Sequence, residues 1–243
     1  MEYPYNKLKS PFWQPLFVKI KSYLFPLILS FCFHTSYGQE VYMVSGGEII
    51  FQSSRIEQNA EDINSILRFS AVLHLGEYLH FDMGDHIGIF SGIGLRNVGF
   101  IIKEDDIKIK YRTYNLGVPV AVKLGSFKQN LFVFAGAEYE WMVHFKQKIF
   151  EGDDKTKYSK WFSNRTPDFI PSAFLGFQFP AGVQIKFRYY LDDYLNHNYN
   201  GGGNYDNFTG FTKTQVWYIS LSYQIRNNKI KEYKPIITEM AIH

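Results

Sequence analysis

Thr212-Lys213-Thr214-Gln215-Val216-Trp217-Tyr218-Ile219-Ser220-Leu221-Ser222-Tyr223-Gln224-Ile225 is the stretch that decides the fold. Successive side chains of a strand point to opposite sides of its sheet. Trp217, Ile219, Leu221, Tyr223 and Ile225 therefore share one face, and Ser220, Ser222 and Gln224 share the other. The same two-sided pattern recurs along most of the chain in segments of about ten residues or more, as expected of a barrel that crosses an outer membrane. A soluble sandwich can alternate in the same way, so length, leader and turns have to carry part of the argument.

The chain has 243 residues and no linker-like break in composition, which suits one domain. Aromatic residues make up 19% of it, with 23 Phe and 18 Tyr, while its mean hydropathy is slightly negative. Rings for lipid and polar groups for a lumen account for both properties.

Residues 1–38 read as an export leader. Lys7, Lys9, Lys19 and Lys21 precede the apolar run from Tyr23 to Phe33, and Ser36-Tyr37-Gly38 supplies small residues for cleavage. The run is shorter than the roughly 20 residues of a spanning helix. Without residues 1–38 the 26 basic and 23 acidic side chains fall by four and one, to 22 of each. The basicity thus belongs to the leader, and a nucleic-acid partner is excluded. Cys32, the single cysteine, lies in the leader, and Phe31 before it is too bulky for a lipidation signal. The mature chain then has no disulfide, thiol chemistry or cysteine-ligated zinc.

Eight strand candidates follow, at 47–55, 67–81, 86–103, 107–124, 130–149, 169–179, 183–192 and 213–225. Eight is a common size for a small bacterial barrel. Their connections alternate in length. Those at 82–85, 125–129 and 180–182 are tight and contain Gly or Pro, whereas 152–167 and 193–212 are long. Tight periplasmic turns with longer external loops are the habit of outer-membrane barrels. The expected fold is all-β: an eight-stranded antiparallel up-and-down transmembrane β-barrel over 39–226, with a periplasmic tail at 227–243. The short link at 104–106 implies strands that project beyond the bilayer.

In the fourth candidate Tyr114, Leu116, Val118, Val120, Val122 and Leu124 face outward, opposite Thr113, Asn115, Gly117, Pro119, Ala121 and Lys123. Pro119 cannot donate to the ladder and predicts a bulge or kink. The fifth candidate puts Leu131 to Phe145 outward at alternate positions, with Glu138, Glu140, His144 and Lys146 inward. The seventh turns Gln184, Lys186 and Arg188 inward, and the second and third turn Arg68, His74 and Arg96 inward. A charge on the lipid face would cost roughly 2 to 4 kcal/mol near the midplane for Arg or Lys. Arg68, Arg96, Lys123, Glu138, Glu140, Lys186 and Arg188 are therefore expected to form a charge network in the lumen, with Glu138 and Glu140 pairing with some of the cations. Such a network reads first as a polar plug in a narrow barrel and alternatively as an ion pathway.

Catalytic and metal chemistry is weakly represented. His144 with Glu138 or Glu140 could be a base and its orienter in a lipid-directed enzyme, but the sequence names no serine nucleophile beside them. Asp192, Asp193 and His197 have the elements of a metal or protease site, yet sit among Asn196, Asn198, Tyr199 and Asn200 and read as a solvated loop. Gly92, Gly94 and Gly99 lie within a strand and read as bends or as room for large neighbours. No cofactor is expected.

Ser91-Gly92-Ile93-Gly94-Leu95-Arg96-Asn97-Val98-Gly99-Phe100 and Tyr111-Arg112-Thr113-Tyr114-Asn115-Leu116-Gly117-Val118-Pro119 resemble the outer-membrane β-barrel proteins of Bacteroidota, the porin-like or PorT-like group. Trp161-Phe162-Ser163-Asn164-Arg165-Thr166-Pro167 and Tyr189-Tyr190-Leu191-Asp192-Asp193-Tyr194-Leu195-Asn196 look like a narrower subgroup. The resemblance spans the mature chain and implies an outer-membrane location and eight strands, but supplies no catalytic residue. The tail at 227–243 departs from it, because many such barrels end on an aromatic in the last strand; Tyr223 or Tyr233 would have to serve. Outer-membrane lipid is the expected partner, together with an unidentified extracellular or envelope protein. A structural or interaction role leads, with a narrow channel and a lipid-directed enzyme as alternatives.

Overall fold

The computed structural model describes residues 40–104, 106–202 and 205–229. The leader with Cys32 and most of the tail, including Tyr233, lie outside them. Twelve strands run in chain order: β1 Glu40–Gln58, β2 Glu61–Ile63, β3 Ser65–Ile66, β4 Arg68–Ser70, β5 Leu75–Asp82, β6 Ile87–Glu104, β7 Ile107–Ser126, β8 Leu131–Glu151, β9 Asp154–Trp161, β10 Phe169–Gln178, β11 Val183–Tyr190 and β12 Phe211–Lys229. β1, β5, β6, β7, β8, β10, β11 and β12 each pair antiparallel with the next, and β12 returns to pair with β1 from Tyr42↔Lys229 to Gln58↔Phe211. This is a closed eight-stranded ring, and closure removes the exposed edges that an open sheet would carry.

All three tight connections, after Asp82, Ser126 and Gln178, lie at one end, where β1 begins and β12 finishes. The opposite end carries the β6–β7 turn, the β8–β9 hairpin and the long 191–210 connection. β7 has 20 residues and β8 has 21, about 65 Å of chain at roughly 3.3 Å per residue. That exceeds any bilayer crossing, and both strands rise past the apolar band.

The outer face explains why these segments are strands. Leu116, Val118, Val120, Val122 and Leu124 of β7 are exposed, as are Ile185 and Phe187 of β11 and Ile219, Leu221, Tyr223 and Ile225 of β12. Their alternating neighbours along the same strands, Lys123, Lys186, Arg188, Ser220 and Ser222, are buried. A water-soluble barrel would have the reverse arrangement. From Tyr114 to Leu124 about ten steps, tilted about 40°, rise about 25 Å, the height of a lipid-facing band.

Four expectations about the barrel wall and its hairpins are corrected by the structure. The second candidate is not one strand but β4 and β5, separated by an arc at 71–74 in which Leu73 has φ +61°; the His74 carbonyl accepts from the Glu48 N–H at 3.1 Å, so the detour stays tied to β1. The expected loop at 152–167 is half strand, since β9 pairs with β8 from His144↔Trp161 to Glu151↔Asp154. Of the bulge or kink expected at Pro119, the bulge is absent, although the ladder is interrupted there: β6–β7 pairing stops at Ser91↔Val120 and resumes in the same register at Gly94↔Gly117, while Ser91 Oγ donates to the Pro119 carbonyl at 2.7 Å.

The fourth correction concerns the upper half of β8. Tyr114 pairs with His144 and Asn115 with Met142, which leaves Val143 as an extra residue. A one-residue bulge reverses every side chain beyond it. Phe145, expected outside, is buried in the inner core. His144 and Lys146, expected inside, lie on the outer face, where His144 stacks between Tyr114 and Trp161 at centroid distances of 5.6 and 4.4 Å and the Lys146 ammonium sits 5.1 Å over the Tyr114 ring.

Candidate functional site: the lumen

Three carboxylates and three cations meet at mid-height. Glu48 comes from β1, Arg96 from β6, Glu138 and Glu140 from β8, and Lys186 and Arg188 from β11, each at an inward position of its strand. Arg188 Nη2 donates to Glu138 Oε2 at 2.5 Å and its Nη1 to Glu140 Oε1 at 2.9 Å. Arg96 pairs with Glu138 and, through Nε, with Glu48 at 3.0 Å. Lys186 Nζ closes the set on Glu48 Oε2 at 2.8 Å. The six formal charges cancel, and all six side chains are no more than 8% exposed.

Neutral groups complete the layer. Tyr190 Oη donates to Glu140 Oε2 at 2.9 Å, Asn115 Nδ2 donates to the same oxygen at 2.8 Å, and Ser172 Oγ accepts from Arg188 Nη1 at 2.8 Å. Buried charge is tolerable when it is paired and hydrogen-bonded, and each of the six charges here has at least one partner of opposite sign. Two glycines make room for it. An added Cβ at Gly117 would collide with the Glu138 carboxylate, and one at Gly94 would lie 2.7 Å from an Arg96 nitrogen.

Two of the seven expected network residues stand apart. Arg68 lies higher, paired with the Gln52 side chain and donating to the Asn97 carbonyl at 3.1 Å and Asn97 Oδ1 at 2.6 Å. Lys123 lies lower, pairing with Asp82 and donating to Tyr42 Oη at 2.8 Å, with its ammonium 4.3 Å over the Phe127 ring. The other five, Arg96, Glu138, Glu140, Lys186 and Arg188, form the central layer. Sequence reading missed Glu48 and Asp82. Alternation against outward Phe51 would have placed Glu48 inside.

Above the charge layer, around the buried polar cluster of Arg68, Gln52 and Asn97, apolar side chains fill the lumen. Val98, Phe100, Tyr111, Met142, Phe145, Ile170 and Val216 from the wall meet Tyr194, Leu195 and Phe208 from the 191–210 connection. Tyr194 Oη reaches the Val98 carbonyl at 3.0 Å and Thr113 Oγ1 at 2.9 Å. The segment expected to be a solvated loop thus folds into the mouth of the barrel. Asp193 Oδ1 accepts from the Thr214 N–H at 2.6 Å, and His197 Nε2 lies 3.2 Å from Thr214 Oγ1. No group of three metal-ligating side chains occurs among the described residues.

Arg165, itself buried, fastens this lid. It makes two bonds to Asp206, at 2.6 and 2.5 Å, donates to Tyr158 Oη at 2.7 Å, and lies 3.8 and 4.6 Å from the Tyr158 and Tyr199 ring centroids. Burial alone pulls the Arg165 pKa down, but the hydrogen bond and charge of Asp206 carry it above the usual arginine value.

Below the charge layer lies a cavity of about 240 Å³. Phe90, Phe134 and Phe174 form its walls, Arg96, Lys186 and Arg188 its roof, and Phe127, Lys128 and Asn130 of a tight turn its lower rim. The lumen is thus an apolar lid over a neutral ionic floor, with a blind chamber beneath. His144 lies on the outer face, so Glu138 and Glu140 do not orient it.

No protein-family model matches the chain, and no curated protein aligns with it. Among solved structures, Neisserial surface protein A is similar over 77% of this chain and 98% of its own, at 8% identity and a TM-score of 0.41. Ail, the attachment invasion locus protein of Yersinia pestis, in complex with the heparin analogue sucrose octasulfate, is similar over 76% of this chain and 99% of its own, at 12% identity and a TM-score of 0.39. OprG, an outer membrane protein from Pseudomonas aeruginosa, is similar over 76% and 96%, at 12% identity and a TM-score of 0.35. The closed ring itself rests on this chain's own strand pairing.

Proposed function

We propose that this is an integral outer-membrane barrel of the Bacteroidota porin-like or PorT-like group that acts as a non-conducting structural or interaction protein. One observation carries the reading. Glu48, Glu138 and Glu140 neutralise Arg96, Lys186 and Arg188 in a buried layer, and the largely apolar lid closes the lumen above it. An ion crossing this lumen would have to break paired charges in a region with little space for water. The band of exposed Leu, Val, Ile and Phe on the outer wall supports residence in lipid. The short turns then face the periplasm. The lid and the β8–β9 hairpin face outward, held in one arrangement by Arg165 and Asp206, which suits presentation of a fixed surface to a partner.

The test is conductance of the refolded protein in a planar lipid bilayer. Insertion without discrete current steps is the expected result. Reproducible steps from the folded, wild-type barrel would overturn the non-conducting reading in favour of a narrow channel.

A further inference from the structure

Above the apolar band, the outer faces of β7, β8 and β9 carry like charges side by side. Lys110 pairs in register with Lys148, and Lys148 with Lys157. One step toward the tip, Lys108 and Lys155 flank Phe150, with the Lys110 and Lys155 ammoniums 5.0 and 5.2 Å from its ring centroid. One step toward the membrane, Arg112 pairs with Lys146.

Like charges directly opposite one another destabilise a sheet, and a solvated surface relieves this by interspersing carboxylates. Here the nearby carboxylates take the other face. Glu104 pairs with Ile107, Ile107 with Glu151 and Glu151 with Asp154, one residue out of step with the basic rows. Among the described residues no ion pair joins these basic side chains to a carboxylate. Desolvation and then the neighbouring Lys108 and Arg112 lower the Lys110 pKa, and desolvation with Arg112, Lys155 and Lys157 lowers that of Lys148.

The rings beneath the patch set its height. Immediately below it lies a girdle of stacked rings: Tyr114, His144 and Trp161, then Trp141, Phe162 and Phe169. Aromatic girdles mark the membrane–water interface of outer-membrane barrels. The central lysine row is four residues beyond Tyr114, about 13 Å along the strand. That is headgroup height, on the wall that faces lipid.

We propose that this basic face is a docking site for a phosphate-bearing glycolipid of the outer leaflet, its acyl chains lying along the apolar band and its headgroup phosphates bridging Lys110, Lys148 and Lys157. Phosphate supplies the counter-charge that the strands lack, and several cations converging on one headgroup give more than any single exposed pair. This inference rests on the outer-membrane reading given above.

The experiment uses the full mature barrel refolded in neutral detergent micelles, with purified diphosphoryl lipid A as probe and its enzymatically dephosphorylated form as comparison. The variant is K110Q/K148Q/K157Q, and K128Q, at the opposite end, is the control. Wild type and K128Q are expected to retain lipid A in native mass spectrometry and to melt at higher temperature in its presence. The triple variant should bind at least tenfold more weakly and lose that gain, yet melt no lower than wild type without lipid. Equal retention by wild type and triple variant, or equal binding of the dephosphorylated lipid, would overturn the proposal. So would a soluble sulfated oligosaccharide binding the patch where lipid A does not. Failure of the wild type to insert into phosphatidylcholine vesicles at all would instead sink the outer-membrane reading.

Discussion

Glu138 of β8 and Arg188 of β11 meet at 2.5 Å across β10, the strand that separates them in the barrel wall. Neither strand pairs with the other, so the bond is a chord through the lumen and not part of a ladder. Arg96 reaches Glu138 from β6, two strands away on the other side. Chords of this kind brace a barrel internally and require all their ends to be in place.

The E138Q/E140Q double variant tests that dependence. It keeps the size of both side chains but leaves Arg96 and Arg188 buried with poorer partners. Removing one member of a buried pair costs about 3 to 5 kcal/mol, whereas an exposed pair is worth at most about 1. A loss in the upper range is expected in urea-induced unfolding from lipid vesicles. Unchanged stability would mean that these carboxylates stand in open water, and the dry floor would have to be given up.

The outer wall is tested at Val120 and Leu221, 63% and 44% exposed and centrally placed on β7 and β12. V120R or L221R should destabilise the barrel in lipid by roughly 2 to 4 kcal/mol. A121S, one residue away but turned inward, should cost much less. Vesicle unfolding titrations read both directly, and equal tolerance on the two faces would point to a barrel surrounded by water.

How far the sequence discloses this molecule depends on whether the two faces of each strand differ in polarity. On β7, β11 and β12 they do, because outward Val, Ile and Phe alternate with inward Lys, Arg, Ser and Asn, and those faces are readable. On upper β8 they do not. The inner core there is itself aromatic, so Phe145 fits either side, and nothing in the sequence around Val143 announces one extra residue. β9 is equally opaque, since Asp154 to Lys160 is a charged stretch above the apolar band in which Tyr158 alone packs against the inner core. The central site was legible to the extent that lipid excludes Arg96, Lys186 and Arg188 from the outer wall. The segregation of Arg68 and Lys123 into separate levels was not, because height along the lumen depends on strand stagger rather than alternation.

Gly117 probes how tightly the charge layer is fitted. Its missing side chain is the space that the Glu138 carboxylate occupies. G117A should force that carboxylate off both arginines or displace β7, at about 1 to 3 kcal/mol, the usual cost of overpacking. Because Ala is otherwise tolerated in strands, a variant as stable as wild type would show that Glu138 has room to move, and that the layer is looser than its contacts imply.

Arg165 governs the lid. It joins the 162–168 segment to the 191–210 connection through Asp206, while Tyr194 and Phe208 of the same connection are fully buried in the barrel mouth. In wild type, protease added to intact cells should cut this connection slowly, because cleavage requires local opening. R165A removes two charge-assisted bonds and the stacking on Tyr158 and Tyr199. If that favours opening by about 1.4 kcal/mol, cleavage between 193 and 212 should accelerate about tenfold, since proteolysis follows the population of the open form. The barrel wall carries the global stability, so the unfolding midpoint in vesicles should move little. R165K tests geometry against charge: it keeps the cation but not the two-pronged contact, and should fall nearer to R165A than to wild type. Identical cleavage rates for all three proteins would show that the buried rings, and not the Arg165–Asp206 pair, hold the lid shut.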